Sequence, residues 1–123
     1  MTQSYKDLKV WQKSIQLVKD VYLLTSFFPK EELFGLTSQM RRCAISIPSN
    51  IAEGKLRGYD KELKRFLLIS FGSGGELETQ VEIAKLLYKD KKINFDKVDG
   101  CLLEVMKMLN QFINKLEPSA KIP

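Results

Sequence analysis

Residues 61–87 read KELKRFLLISFGSGGELETQVEIAKLL, and this stretch is the clearest indication of the fold class. Its apolar side chains recur every three or four residues, the spacing that places them on one face of an α-helix. Nowhere does the chain alternate apolar and polar residues with the period of two that a half-buried strand requires. The sequence therefore predicts an all-α protein in which one long helix covers residues 60–90, with Asp60 as its N-cap.

The middle of this long helix is apolar on every side, because Leu68, Ile69 and Phe71 lie off its main apolar stripe. Such a ring would promote aggregation if water surrounded it, so we expect these side chains to be buried between helices or subunits. Three glycines follow within residues 72–75, and each costs about 1 kcal/mol in a helix relative to alanine. Close contact with another part of the protein is the expected reason for them.

Three further helices are expected at residues 8–27, 37–53 and 95–116, the last with Asn94 as its cap. Gly54 should end the second of them, and Pro48 should kink it around residues 44–48. The first carries two apolar sets side by side. One set comprises Leu8, Trp11, Ile15, Val18, Tyr22 and Thr25, and the set beside it comprises Val10, Leu17, Val21, Leu24 and Phe28.

Four helices joined by short loops predict an antiparallel up-down-up-down four-helix bundle with a Pro-kinked second helix. The bundle should span residues 1–117, and residues 118–123 should form a flexible C-terminal tail. The apolar arcs of the first and third helices are wider than a single bundle needs. We therefore expect a homo-oligomer.

Length and composition limit the functional classes. The 123 residues, 44% hydrophobic and 28% charged, suit one globular domain. No apolar stretch approaches the ~20 residues that cross a bilayer, and no export signal is visible, so we expect a cytoplasmic protein without a membrane partner. Histidine is absent, which removes Ser-His-Asp catalysis and the common zinc sites. We expect no enzyme, no cofactor and no metal, and we expect Cys43 and Cys101 to be buried thiols.

Positive charge is concentrated in one part of the chain. The sequence has 20 Lys and Arg against 15 Asp and Glu, and between residues 41 and 65 seven basic side chains face three acidic ones, an excess of four. The seven are Arg41, Arg42, Lys55, Arg57, Lys61, Lys64 and Arg65. If the second and third helices pack side by side, these residues form one basic surface.

A basic surface of this kind attracts phosphate backbones by counterion release, independently of sequence, so RNA or DNA is the expected partner. Tyr59 offers a ring on which an unpaired base can stack. The alternative is a protein-interaction scaffold whose basic surface docks a partner protein, and ordinary surface ion pairs would explain the same charges without any ligand. The glycine-rich SFGSGGELE at 70–78 lacks the preceding strand and the Lys-Ser or Lys-Thr of a phosphate loop, so helix packing explains it better.

Three segments carry a family resemblance: LKVWQKSIQLVKDVYLLTSFFP at 8–29, ELFGLTSQMRRCAISIPSNIAEG at 32–54, and the stretch at 61–87. Together they resemble the four-helix-bundle proteins encoded in intervening sequences of bacterial 23S ribosomal RNA genes. The most specific part is GLTSQMRRCAISIPSNIAEG at 35–54, which combines a proline-containing helix, paired arginines and a terminal Asn-Ile-Ala-Glu-Gly.

The resemblance implies an up-down-up-down bundle that assembles into a barrel-shaped homopentamer. The family is similar to the accessory proteins of diversity-generating retroelements, which bind nucleic acid and a reverse transcriptase. The resemblance also implies a polar signature formed by Gln39, Arg41, Arg42, Asn50, Glu53 and Arg57. This chain departs from the family at Phe71, where an arginine is usual, and at Gly74 and Gly75, where larger residues are usual.

Overall fold

Four helices make up the fold in the computed structural model, which describes residues 4–116. They are α1 (Lys9–Thr25), α2 (Leu36–Leu56), α3 (Asp60–Leu87) and α4 (Asp96–Leu116), with short 3₁₀ turns at Tyr5–Asp7 and Lys30–Glu32. Residues 4–116 contain no strand, so the all-α prediction is confirmed. The expected tail at 118–123 lies outside the described residues.

Each helix packs against two neighbours, because α1 and α3 both contact α2 and α4. Side chains from all four helices meet in one core, where Leu17, Ile47, Leu77 and Leu109 are fully buried. Removing this apolar surface from water is the main force that holds the helices together. Since α1 and α3 do not contact each other, they lie on opposite sides of the core, and each has an outer face that the other described helices leave uncovered.

The second helix is longer than predicted, and Gly54 does not end it. α2 continues through Pro48 to Leu56, and the chain reverses at Gly58, whose φ of +90° is a left-handed conformation that suits glycine. Gly54 instead allows α2 to approach α3 closely, because a Cβ at this position would meet the Cβ of Phe66 at 2.8 Å. The prediction of a helix end at Gly54 is therefore wrong, and close packing explains the glycine.

The structure distinguishes the two apolar sets of α1. The second set faces the core, namely Val10, Leu17, Val21, Leu24 and, just after the helix, Phe28. Most of the first set lies beside α2 and is only partly covered, with Ile15 and Tyr22 exposed. Ser14 is a polar residue on the buried side of α1. Its hydroxyl donates to the Trp11 carbonyl at 2.7 Å, so it is buried without an unpaired donor.

The described chain buries only part of the apolar middle of α3. Phe71 packs against the core, whereas Leu68 is 43% exposed and Ile69 is 41% exposed. Helices of the same chain therefore do not cover all three residues. Burial of Leu68 and Ile69 between subunits stays a prediction.

One of the three glycines in α3 makes the close contact that was predicted for all of them. A Cβ on Gly74 would overlap the sulfur of Met106 in α4. At Gly72 and Gly75 a Cβ would have nothing within 4 Å in the described chain. The prediction of close contact is therefore correct for Gly74 and wrong for the other two within this chain.

The sequence also makes predictions about the starts of α3 and α4 and about the two thiols. α3 begins at Asp60, but Tyr59 and not Asp60 occupies the capping position. At the start of α4, Phe95 directly precedes the helix, and Asn94 accepts a hydrogen bond of 2.8 Å from the backbone amide of Asp96, so the predicted cap residue binds a helix amide from one position further out. Cys43 and Cys101 are buried free thiols, also as predicted. Among residues 4–116, no helix has the length and apolar character needed to cross a membrane.

Candidate nucleic-acid interface

The connection between α2 and α3 brings basic residues from the end of one helix close to those at the start of the next. Because Gly58 reverses the chain between Leu56 and Asp60, the last turn of α2 lies beside the first turns of α3. Four of the seven predicted basic residues fall in these turns. We call them the loop-end cations: Lys55, Arg57, Lys61 and Arg65.

Two of the loop-end cations are paired with carboxylates. Arg57 Nε lies 3.0 Å from Glu53 Oε2, and Arg57 Nη1 lies 3.8 Å from Glu62 Oε1. Arg65 Nε donates to Glu62 Oε2 at 2.9 Å. This hydrogen bond, together with the charges of Arg65, Arg57 and Lys61, lowers the pKa of Glu62, although partial desolvation opposes the shift. Glu62 is therefore ionised at neutral pH and bridges the two arginines.

An aromatic ring supports the same two arginines. The guanidinium carbon of Arg65 lies 4.4 Å from the centroid of the Phe66 ring, and that of Arg57 lies 5.1 Å from it. Stacking on the ring and pairing with Glu62 restrict both side chains to few conformations. A ligand that binds them therefore loses less side-chain entropy than one that must order free arginines.

The ion pairs leave both arginines available to a phosphate. Their side chains are about half exposed, at 47% for Arg57 and 55% for Arg65, and exposed ion pairs contribute little to stability in water. A phosphate can therefore take the place of a carboxylate as their partner. In the free protein, however, Glu53 and Glu62 offset the two arginine charges. Lys55 and Lys61 add two positive charges at this end, and Asp60 at the start of α3 offsets one of them.

Lys64 does not lie with the exposed cations. Its side chain is only 7% exposed, because Lys64 precedes buried Leu67 by one helical turn and shares that side of α3. Lysine can be buried in this way when its aliphatic stem packs against apolar neighbours. The sequence prediction treated Lys64 as an exposed phosphate contact, and the structure places it elsewhere.

Arg41 and Arg42 lie away from the loop-end cations, since 13 residues of α2 separate Arg42 from Lys55, or about 20 Å along the helix. The two arginines also differ from each other. Arg41 Nε donates to Thr25 Oγ1 at 2.9 Å, and its guanidinium carbon lies 4.5 Å from the centroid of the Tyr22 ring. Arg42 is exposed and forms no ion pair within residues 4–116. The seven residues therefore do not form one continuous surface in a single chain.

The rest of the predicted polar signature makes its contacts mostly within α2 and at its end. Asn50 Nδ2 donates to the backbone carbonyl of Ser46 at 2.8 Å and to its hydroxyl at 3.0 Å. The Ser46 hydroxyl also lies 2.9 Å from that of Ser73 in α3. Glu53 holds Arg57, while Gln39 is exposed. These contacts give Ser46 and Asn50 a structural role in helix packing.

Tyr5 is a residue that the sequence analysis missed. It lies in the 3₁₀ turn before α1 and lines a cavity beside the loop-end cations, together with Tyr59 and Lys55. The sequence does carry a signal for this turn, because SYKD at 4–7 has the spacing of a capping box. Ser4 accepts a hydrogen bond from the amide of Lys6, and Asp7 accepts one from the amide of Ser4.

No three His, Cys, Asp or Glu side chains within residues 4–116 are placed so that they could hold a metal ion.

Comparison with known protein families gives a match to the family described as 23S rRNA-intervening sequence protein, over residues 6–111. The match covers most of the chain, including all of α1, α2 and α3 and most of α4. No curated protein matches the chain.

Proposed function

The chain belongs to the 23S rRNA-intervening sequence protein family, and from this premise we propose that it is a non-enzymatic homo-oligomer that binds RNA or DNA. The contacts are with phosphates, so binding depends little on base sequence. The observation that supports this most strongly is the group of four loop-end cations around the connection between α2 and α3. The cytoplasmic location expected from the sequence remains part of the same proposal.

Each cation contributes in its own way. Lys55 and Lys61 attract the phosphate backbone over a distance, because their two positive charges exceed the single negative charge of Asp60, the remaining carboxylate of this connection. Arg57 and Arg65 then exchange Glu53 and Glu62 for phosphate oxygens, which their guanidinium groups bind in two-pronged fashion. Every phosphate contact releases condensed counterions, and this release supplies most of the affinity.

Oligomerisation multiplies these contacts. Exposed apolar side chains lie along the outer faces of two helices that do not touch each other. On α3 they are Leu68, Ile69, Ile83, Leu86 and Leu87, and on α1 they are Ile15, Tyr22 and Leu23. Because the two faces differ, the α3 face of one copy can cover the α1 face of the next, and such head-to-tail contacts close into rings. A homopentamer is compatible with such a ring. The proposal also includes the up-down-up-down order of the helices and the kink at Pro48.

A protein-interaction scaffold is the second candidate. It is favoured by Phe34, which is 93% exposed in the connection between α1 and α2, next to the exposed Leu33. Adjacent exposed apolar residues of this kind are typical of protein docking sites. In that case the basic surface would bind an acidic protein and not a nucleic acid.

A triple substitution tests the proposed function. Arg57, Lys61 and Arg65 are replaced by alanine, and affinity for an unrelated RNA and an unrelated DNA is measured at several salt concentrations by fluorescence anisotropy. If each side chain contacts one phosphate, the slope of log K against log salt should flatten by roughly two to three units. Affinity for both nucleic acids should fall on the order of a hundredfold, because the contacts carry no sequence information.

The matched control removes three positive charges from the other end of α3. Lys89, Lys91 and Lys92 are exposed and follow α3, about 42 Å from Asp60 along the helix. Their replacement by alanine changes the net charge equally and should alter affinity by less than about threefold. Equal losses in the two triple variants would show that overall charge and not this surface drives binding. Unchanged binding in the first variant would favour the scaffold.

A further inference from the structure

A cavity of about 540 Å³ opens beside the loop-end cations. It is lined by Tyr5 from the 3₁₀ turn before α1 and by Tyr59 from the residue before α3, together with Lys55, Leu56 and Asp60. We propose that this cavity takes one unpaired base of single-stranded RNA or DNA, whose phosphates lie against the loop-end cations. This inference rests on the proposed function and specifies the strand form that the same surface binds.

The lining of the cavity suits a flat aromatic ligand. Its volume falls within the range of about 300–1,000 Å³ that is typical of small-molecule sites. Two tyrosine rings from separate segments contribute to it, and Tyr59 is 62% exposed. Leu56, which is also exposed, adds an apolar wall. Bases stack on aromatic rings whatever their hydrogen-bonding pattern, so such a site binds unpaired bases with little sequence preference.

Tyr5 is held in place before any ligand arrives. Its ring packs edge-on against Trp11, with 5.4 Å between ring centroids and 67° between ring planes. Two hydrogen bonds close the turn that carries it. The Ser4 hydroxyl accepts from the backbone amide of Lys6, and the Asp7 carboxylate accepts from the backbone amide of Ser4. A platform fixed in this way costs little entropy when a base stacks on it.

The charges in the cavity favour a base inside and phosphates outside. Asp60 lines the cavity together with Lys55, so a phosphate placed inside would meet a carboxylate. A base is uncharged and meets no such repulsion. The phosphates on either side of that base would instead reach Lys61 and Arg57, which are exposed on the neighbouring turns.

A second copy of the chain is a less suitable occupant. The exposed apolar side chains that a second copy would cover lie along the middle and far part of α3, at Leu68, Ile69 and beyond, and along α1. The cavity instead lies where α2 gives way to α3, and its lining includes two tyrosines and the charged residues Lys55 and Asp60. Its position and lining therefore fit a nucleic acid better than a subunit contact.

The test compares a 15-nucleotide oligo(dT), an oligonucleotide of the same length that is abasic at every position, and a 15-base-pair duplex. All three carry phosphates, but only the first offers unpaired bases. Tyr59→Ala should weaken oligo(dT) binding about tenfold and leave duplex and abasic binding within about twofold of the unaltered protein. Tyr59→Phe should keep the affinity, because it keeps the ring. As a matched control, Phe34→Ala removes an exposed aromatic ring outside the cavity and should change none of the three affinities.

The possible failures are distinguishable. If the unaltered protein binds none of the three probes, the proposed function fails and this inference fails with it. If it binds all three but Tyr59→Ala leaves oligo(dT) binding unchanged, or weakens duplex binding equally, the base-binding cavity is refuted and the phosphate contacts stand. If Tyr59→Ala changes the particle size measured by light scattering, the cavity belongs to a subunit contact and the inference is overturned.

Discussion

Replacing Arg41 by alanine should destabilise the protein and leave nucleic-acid binding unchanged. Arg41 Nε donates to Thr25 Oγ1 at 2.9 Å. Thr25 is only 3% exposed, and its hydroxyl donates a hydrogen bond to the Val21 carbonyl at 2.8 Å. A hydrogen bond to a charged group contributes about 1.5–3 kcal/mol, and the cation–π contact with Tyr22 adds about 0.5–1 kcal/mol. The free energy of unfolding should therefore fall by about 2 kcal/mol, which lowers Tm by roughly 8 °C in a chain of this size.

Arg42→Ala is the matched comparison, because it removes the same side chain from the next position on α2. Arg42 is exposed and unpaired within residues 4–116, so its loss should change the free energy of unfolding by no more than about 0.5 kcal/mol. Urea unfolding and anisotropy with a fluorescent RNA measure the two effects on both variants. The reasoning is refuted if Arg41→Ala keeps the stability of the unaltered protein but weakens RNA binding.

Further predictions concern the glycines and a buried thiol. Gly54→Ala should lower the free energy of unfolding by about 1 kcal/mol, because the clash with Phe66 Cβ at 2.8 Å outweighs the gain in helix propensity. Gly72→Ala should raise it by up to about 1 kcal/mol, since nothing lies within 4 Å of the added Cβ, and urea unfolding that shows the opposite order would contradict the packing. Burial raises the pKa of Cys43 to about 11, so a thiol reagent at pH 8 should modify it far more slowly in the folded protein than in urea. This folded-state pKa lies above the unfolded value of about 9, so the folded state holds the thiol proton more tightly. The free energy of unfolding should therefore fall as the pH rises from about 9 towards 11.

The number of helices and their approximate positions could be predicted, because apolar periodicity reports directly on helical faces. The choice between two apolar faces could not. In α1 both faces fit the helical period, and the buried one includes Ser14, whose hydroxyl bonds to its own backbone. A local hydrogen bond of this kind is invisible in a hydrophobicity pattern. Likewise Gly54 has the sequence context of a helix end, and only the approach of α3 reveals its packing role.

The candidate site was predictable in composition but not in arrangement. Sequence alone located the excess of positive charge, and it correctly placed Arg57 between α2 and α3 and Arg65 near the start of α3. It could not show that Lys64 is buried or that Arg41 is bound to Thr25, because both facts depend on neighbouring elements. Tyr5 lies more than fifty residues from Tyr59, and only the fold brings both to one cavity.

The central claim is that this protein binds nucleic acid through phosphate contacts made by an oligomer. Its most direct test is the affinity of the unaltered protein for one fluorescent RNA between 50 and 200 mM salt, with the particle mass measured in the same buffers. If each subunit of a ring contributes two or three of the loop-end cations, the affinity should fall by about a thousandfold or more over that range, along a straight line of log K against log salt. An affinity that does not change with salt, or the absence of binding at 50 mM salt, would contradict the account.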